Sequence, residues 1–134
     1  MRQIVVRQVE RPIPRDEEED LQWLCNSLGI GEGRDVEQVA TRVLFTLLDH
    51  LPHGKGLPVD TIAHDLDLTS SRINHHIRNL VDAGVVYRQK RLIYIRGNSL
   101  QSMVREVRKD FIRVLDDLEL AAADIDKAFG IVQR

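Results

Sequence analysis

The last third of the chain carries an apolar repeat that few folds accommodate. Leu100, Val104, Val107, Phe111, Val114, Leu118, Ala121, Ile125, Ala128 and Val132 succeed one another in alternating steps of four and three. That spacing holds one seam on a single face of a long α-helix, as in a coiled coil. Asn98 or Ser99 is placed to cap it. A helix of about 31 residues extends roughly 46 Å, and a chain of 134 residues does not cover that length with its own core. The surplus seam asks for a partner, and the expectation is a homodimer. Leu100, Val104, Val107, Phe111, Val114, Leu118 and Ile125 supply its contacts, with Leu21, Leu24 and Leu28 of an N-terminal helix packing alongside. Ala121 and Ala128 allow close approach of the two helices.

The preceding residues resolve into short elements. The β-branched run at 3–9 reads as a strand, and Pro12 and Pro14 then keep the chain extended. Asp16 opens a helix to Leu28, whose first turn carries Glu17, Glu18, Glu19 and Asp20 where negative charge suits the helix dipole. Leu21, Leu24, Cys25 and Leu28 share one face with Trp23 beside it, and Gly29, Gly31 and Gly33 end the element. A second helix over 35–51 has the stripe Val36, Val39, Ala40, Val43, Leu44, Leu47, Leu48 and Leu51. Pro52, Gly54, Gly56 and Pro58 form a loop. A short helix over 59–66 turns Ile62, Ala63 and Leu66 inward. After a turn at 68–71, another helix runs to Ala83 and buries Ile73, Ile77, Leu80 and Val81, with Gly84 suited to follow its end. Residues 85–89 and 92–96 are β-branched and aromatic, and predict a hairpin around Lys90 and Arg91. No Asn-Gly pair marks its tip, so the turn type stays open. Aromatic residues at 4% and charged residues at 30% argue against a β-sandwich and for a mainly α chain with a small β-hairpin. The expected division is an N-terminal extension over 1–33, a central unit over 34–97 and a dimerisation helix over 98–134.

Charge is distributed unevenly. Between Arg72 and Arg96 lie six basic residues and one acid, a net of +5, whereas the remainder carries 13 basic and 20 acidic residues, a net of −7. A basic island on an acidic body points to an anionic partner more directly than the overall charge of −2 does. Short helix, turn, second helix and basic hairpin, in that order, make up a winged helix-turn-helix, in which the second helix enters the DNA major groove and the hairpin lies along the backbone or minor groove. The run Leu68-Thr69-Ser70-Ser71-Arg72-Ile73-Asn74-His75-His76-Ile77-Arg78-Asn79-Leu80, continued by Val81-Asp82-Ala83-Gly84-Val85-Val86, resembles the recognition helix and wing entry of ArsR-type regulators. The resemblance spans 36–96 in element order and 68–86 in motif detail. The flanking elements are similar to those of small archaeal winged-helix regulators.

With Ile73, Ile77 and Leu80 on one face, the opposite face of that helix is left to Ser70, Ser71, Arg72, Asn74, His75, Arg78 and Asn79. Hydroxyls and helix N-terminal amides suit phosphate, whereas Arg reads guanine and Asn reads adenine bidentately. The expected roles are phosphate for Ser70 and Ser71, and bases or groove wall for Arg72, Asn74, His75 and Arg78. Arg88, Lys90 and Arg91 are expected on phosphates or in the minor groove, and His76 is expected to be half-buried and structural. A two-fold dimer presents two such helices, so the expected partner is double-stranded DNA with a palindromic operator.

The resemblance to ArsR-type regulators brings metal sensing to mind, but the residues do not follow it. Residues 57–68 contain no cysteine and the terminal helix no histidine. His50, His53 and His64 read as surface or helix-end residues, and His75 and His76 point apart on their helix. Cys25 reads as a small buried hydrophobe, and the acids at 16–20 as a solvated complement to the helix dipole. No phosphate-binding loop, HExxH or GxSxG is present. No metal, cofactor or catalytic activity is expected. The N-terminal residues lack an apolar signal core and no stretch is apolar enough for a membrane span, so the expectation is a cytoplasmic protein. The sequence therefore predicts a homodimeric DNA-binding transcriptional regulator, a repressor by analogy. The alternative is a winged-helix adaptor in a transcription or replication assembly.

Overall fold

The computed structural model describes residues 5–11, 16–30, 38–53 and 56–132. Among them are five α-helices and one two-stranded antiparallel hairpin. In chain order these are α1 (Glu17–Ser27), α2 (Val39–His50), α3 (Val59–Leu66), α4 (Ser70–Asp82), β1 (Val86–Gln89), β2 (Leu92–Ile95) and α5 (Leu100–Ala128).

α2 is central to the packing. It buries Val39, Ala40, Val43, Leu44 and Leu47 and touches α1, α3, α4 and β2. Ile62 and Ala63 from α3, Ile73, Ile77 and Leu80 from α4, and Val86, Ile93 and Ile95 from the hairpin complete one hydrophobic cluster, joined by Leu21 and Cys25 of α1. Each fully buried aliphatic side chain of this kind contributes about 1.5–3 kcal/mol. The segment leading into α3 adds to the hairpin edge, because Leu57 and Ile93 exchange backbone hydrogen bonds of 3.0 and 2.8 Å. Gly56 permits that approach, since a Cβ there would lie 2.7 Å from the Tyr94 ring.

The helix ends follow from local chemistry. The Asp16 carboxylate accepts from the Glu19 amide at 2.7 Å and starts α1. Thr69 caps α4 by accepting from the Arg72 amide at 3.2 Å, and Ser99 caps α5 by accepting from Ser102. α4 ends in a Schellman motif: Gly84 has φ +79°, its amide donates to Val81, and the Val85 amide donates to Leu80, both at 3.0 Å.

Three expectations are corrected. Residues 5–9 form no strand. Among the described residues no strand lies beside them, and they are strapped to α1 instead, with the Arg7 amide donating to the Ser27 carbonyl at 2.7 Å and the Trp23 indole donating to the Val9 carbonyl at 2.7 Å. Residues 3 and 4, Pro12, Pro14, Gly31, Gly33, Val36 and Gly54 lie outside the described residues. α2 begins at Val39 because Gln38 is left-handed, with φ +55°. The apolar seam of α5 divides into two parts. Val107 is buried within its own chain, and Leu100 and Val104 pack against that core. Met103 and Asp110, which lie off the seam, are the other buried residues of the helix. From Phe111 onward the helix leaves the body, and Phe111, Val114, Leu118 and Ile125 are exposed. Val132 lies beyond the end of α5.

Candidate nucleic-acid interface

The α3–α4 corner is built without glycine. Asp67 takes the left-handed conformation with φ +54°, and its amide and that of Leu68 return to the His64 and Ala63 carbonyls at 3.2 and 3.0 Å. Arg42 of α2 donates to the Leu66 carbonyl at 3.2 Å, which satisfies one of the last acceptors of α3. The corner is thus tied to the central helix, and α4 is held at a set angle to it.

Burial of Ile73, Ile77 and Leu80 turns the opposite face of α4 outward. Ser71, Arg72, His75, Arg78 and Asn79 are exposed there, while Ser70, Asn74 and His76 are half-buried. Helix formation begins at Ser70, so Ser70 and Ser71 occupy the first turn, where backbone amides lack helical partners. Ser71 is exposed. The Ser70 hydroxyl donates to the Asp60 carboxylate at 2.7 Å, and a phosphate contact there requires that bond to be exchanged. The His75 and His76 rings do not point apart as the sequence implies, but meet edge to face at 5.3 Å.

The hairpin stands beside this face. Its register pairs Val86 with Ile95, Tyr87 with Tyr94, Arg88 with Ile93 and Gln89 with Leu92. Val86, Ile93 and Ile95 face the core, and the two tyrosine rings stack at 5.1 Å on the other side. Arg88 shares the Val86 face and donates to the Asn74 Oδ1 of α4 at 3.0 Å. Arg88, Lys90 and Arg91 are exposed. A cationic β-turn therefore sits next to the polar face of α4, with Arg88 joining the two.

The tip, left open by the sequence, is a two-residue turn. Lys90 and Arg91 have φ of +51° and +66°, the pattern of a type I′ hairpin turn, which usually takes Asn-Gly. Left-handed backbone costs an ordinary residue about 1–2 kcal/mol. Two long cations thus occupy positions that local stability assigns to other residues, a conflict typical of functional surfaces. Lys90→Asn combined with Arg91→Gly is expected to stabilise the chain by about 1 kcal/mol, read from the midpoint of urea unfolding. An unchanged or lower midpoint would show that the tip stores no strain.

Arg96, part of the basic island, is drawn away from this surface. Its guanidinium donates to Asp110 of α5 at 2.5 Å and to the Gly84 carbonyl at 3.4 Å. Asp110 also pairs with Arg113. Sequence reasoning overlooked this group, although an acid between Val107 and Phe111 on the inner side of a helix was a signal for a buried partner.

Among the described residues no group of three or more His, Cys, Asp or Glu side chains is placed to hold a metal ion, and no helix is long and apolar enough to cross a membrane. His50 lies with Nδ1 2.9 Å from the Thr46 carbonyl, His64 is exposed, and the His53 side chain is outside the described residues. Cys25 is buried. Comparisons with protein-family models, curated proteins and solved structures return no match.

Proposed function

We propose that the chain is a non-catalytic, homodimeric winged helix-turn-helix regulator that binds double-stranded DNA, as its resemblance to ArsR-type proteins implies. α4 is the recognition helix in this reading and the β1–β2 hairpin is the wing. The observation that carries it is the Arg88–Asn74 bond of 3.0 Å, which keeps the cationic turn against the exposed polar face of α4. Arg72, His75 and Arg78 meet base edges or the groove wall, Ser71 and the first amides of α4 meet phosphate, and Lys90 and Arg91 meet the backbone of the flanking groove. Asn74 has its acceptor engaged by Arg88 in the free chain, so its bidentate reading of adenine requires Arg88 to move onto DNA. Control is steric: occupancy of a promoter site excludes the transcription machinery, and repression is its simplest outcome.

Selection of bound sequences from random duplexes, followed by salt titration on the selected site, tests this. Affinity is expected to fall steeply with salt. Arg72→Ala and Asn74→Ala are expected to relax sequence preference, each by about 1–3 kcal/mol at one position. Lys90→Ala and Arg91→Ala are expected to weaken all sequences alike, each lowering the log–log salt slope by about 1. Negligible affinity at moderate salt, with tolerance of all four changes, would instead favour the protein-interaction adaptor.

A further inference from the structure

We infer that the cleft between α1, α2 and the start of α5 binds a lipophilic organic cation, a site that goes beyond the DNA-binding reading and does not depend on it. The cleft encloses about 510 Å³, a volume usual for small-molecule sites. Leu24, Leu48 and Leu100 give it an apolar wall, to which Trp23 and Phe45 add two aromatic rings. Phe45 stands on the helix that organises the core, yet it is 40% exposed. The core has not taken up its ring, which is left to a ligand. The Trp23 indole is held by its hydrogen bond to the Val9 carbonyl, so this part of the wall is set before anything binds.

Charge selects the occupant. Three carboxylates, Glu17, Asp20 and Asp49, and one guanidinium, Arg11, also line the cleft, a net charge of −2. Arg11 and Asp20 satisfy each other through two hydrogen bonds of 3.1 and 3.0 Å. Glu17 and Asp49 are exposed, and among the described residues neither makes an ion pair. The cleft therefore offers two uncompensated negative charges beside an apolar wall. An anion meets those carboxylates and finds the one cation already engaged. A neutral ligand gains the apolar area and nothing from the charges, whereas a cation with a broad apolar body gains both. The rings add to this preference, because aromatic faces attract positive charge. The chain itself supplies an example, with the Arg11 guanidinium carbon 5.6 Å from the centre of the Trp23 ring.

Tetraphenylphosphonium and tetraphenylborate test this, since they share shape and apolar surface and differ in the sign of their charge. Trp23, the chain's single tryptophan, reports binding through its emission, and isothermal titration calorimetry gives the affinities. The phosphonium is expected to saturate a single site and to bind about tenfold more tightly than the borate, the scale of two exposed charge contacts. Glu17→Gln combined with Asp49→Asn is expected to abolish that preference without weakening the borate. Asp116→Asn combined with Asp124→Asn takes the same charge from the far part of α5 and is expected to preserve it. Phe45→Ala is expected to weaken both ions, because its exposed ring belongs to the wall of the cleft. Equal affinities for the two ions, or a preference that survives the loss of Glu17 and Asp49, overturn the assignment of a cation. So does a preference lost equally in both double variants. Unchanged affinities in Phe45→Ala place the ions elsewhere and overturn the site. The absence of saturable binding by either ion also overturns it, and leaves the cleft to a second copy of the chain.

Discussion

Asp110→Asn is expected to cost the chain about 3 kcal/mol of stability, at the lower end of what breaking a buried ion pair removes. Asp110 is 3% exposed on the inner face of α5. One of its oxygens receives Arg96 at 2.5 Å and the other receives Arg113. Arg96 follows β2 directly and also lies 3.8 Å from Glu106. The pair therefore ties the root of the hairpin and the end of α4 to the first half of α5. An asparagine fills the same space but removes the charge and one acceptor, leaving Arg96 without its main counter-ion. The lower end applies because both arginines keep some contact with water. Urea unfolding near neutral pH reads the loss, and a change below about 1 kcal/mol, the scale of a surface ion pair, would show that Asp110 is no structural anchor.

Acid gives an independent check. The hydrogen bond from Arg96 holds the Asp110 carboxyl below the usual carboxylate range; the charges of Arg96 and Arg113 act in the same direction, and burial opposes them. The folded value is depressed, so this stabilisation is fully present above the unfolded value of about 3.9. It is lost as pH falls through the folded value. The stability gap between the native chain and Asp110→Asn is therefore expected to be constant from about pH 5 to 7 and to close below about pH 4.

The parts of the fold that were legible in the sequence are those where local chemistry and packing agree. For α4 the apolar spacing of Ile73, Ile77 and Leu80, with Gly84 after its end, predicts the helix, while the structure starts it at Ser70, inside the expected turn, with Thr69 as its cap. α3 and the hairpin were equally plain, because their apolar periodicity changes abruptly at Asp67 and Gly84. The run at 5–9 misled because β-branching signals only a residue that fits a sheet, and among the described residues no sheet edge is there to receive it. The seam of α5 was read as one surface, yet Val107 turns into the chain's own core while Leu118 does not. Spacing shows which residues share a face, but not what the face meets. The place of Asp110 hinted at a buried partner, but that the partner is Arg96 was illegible, since the two sit 14 residues apart and only tertiary packing brings them together. The tip at Lys90 and Arg91 was hidden because its backbone is imposed by the register of the strands, against the preference of its residues.

Leu118→Glu is expected to produce a monomer that keeps its fold and loses most of its affinity for a two-site operator. Leu118 is 59% exposed and contributes nothing to the core that α2 organises, so helix content should not change. In a paired α5 it lies in the middle of the exposed apolar stripe from Phe111 to Ile125, and a carboxylate there is buried twice in one interface without a partner, which an apolar seam does not tolerate. Loss of pairing converts binding of two linked recognition helices into binding of one. The apparent affinity for a duplex with two half-sites then falls by about 10²- to 10⁴-fold, the gain that linkage supplies. Affinity for a duplex with a single half-site changes far less, because α4 and the hairpin are untouched. The comparison of the two duplexes, with molecular mass from light scattering, separates loss of pairing from loss of the DNA surface. A dimer that survives the substitution would place self-association elsewhere on the chain. Equal weakening on both duplexes would mean that α5 supports the DNA surface directly rather than by joining two copies of it.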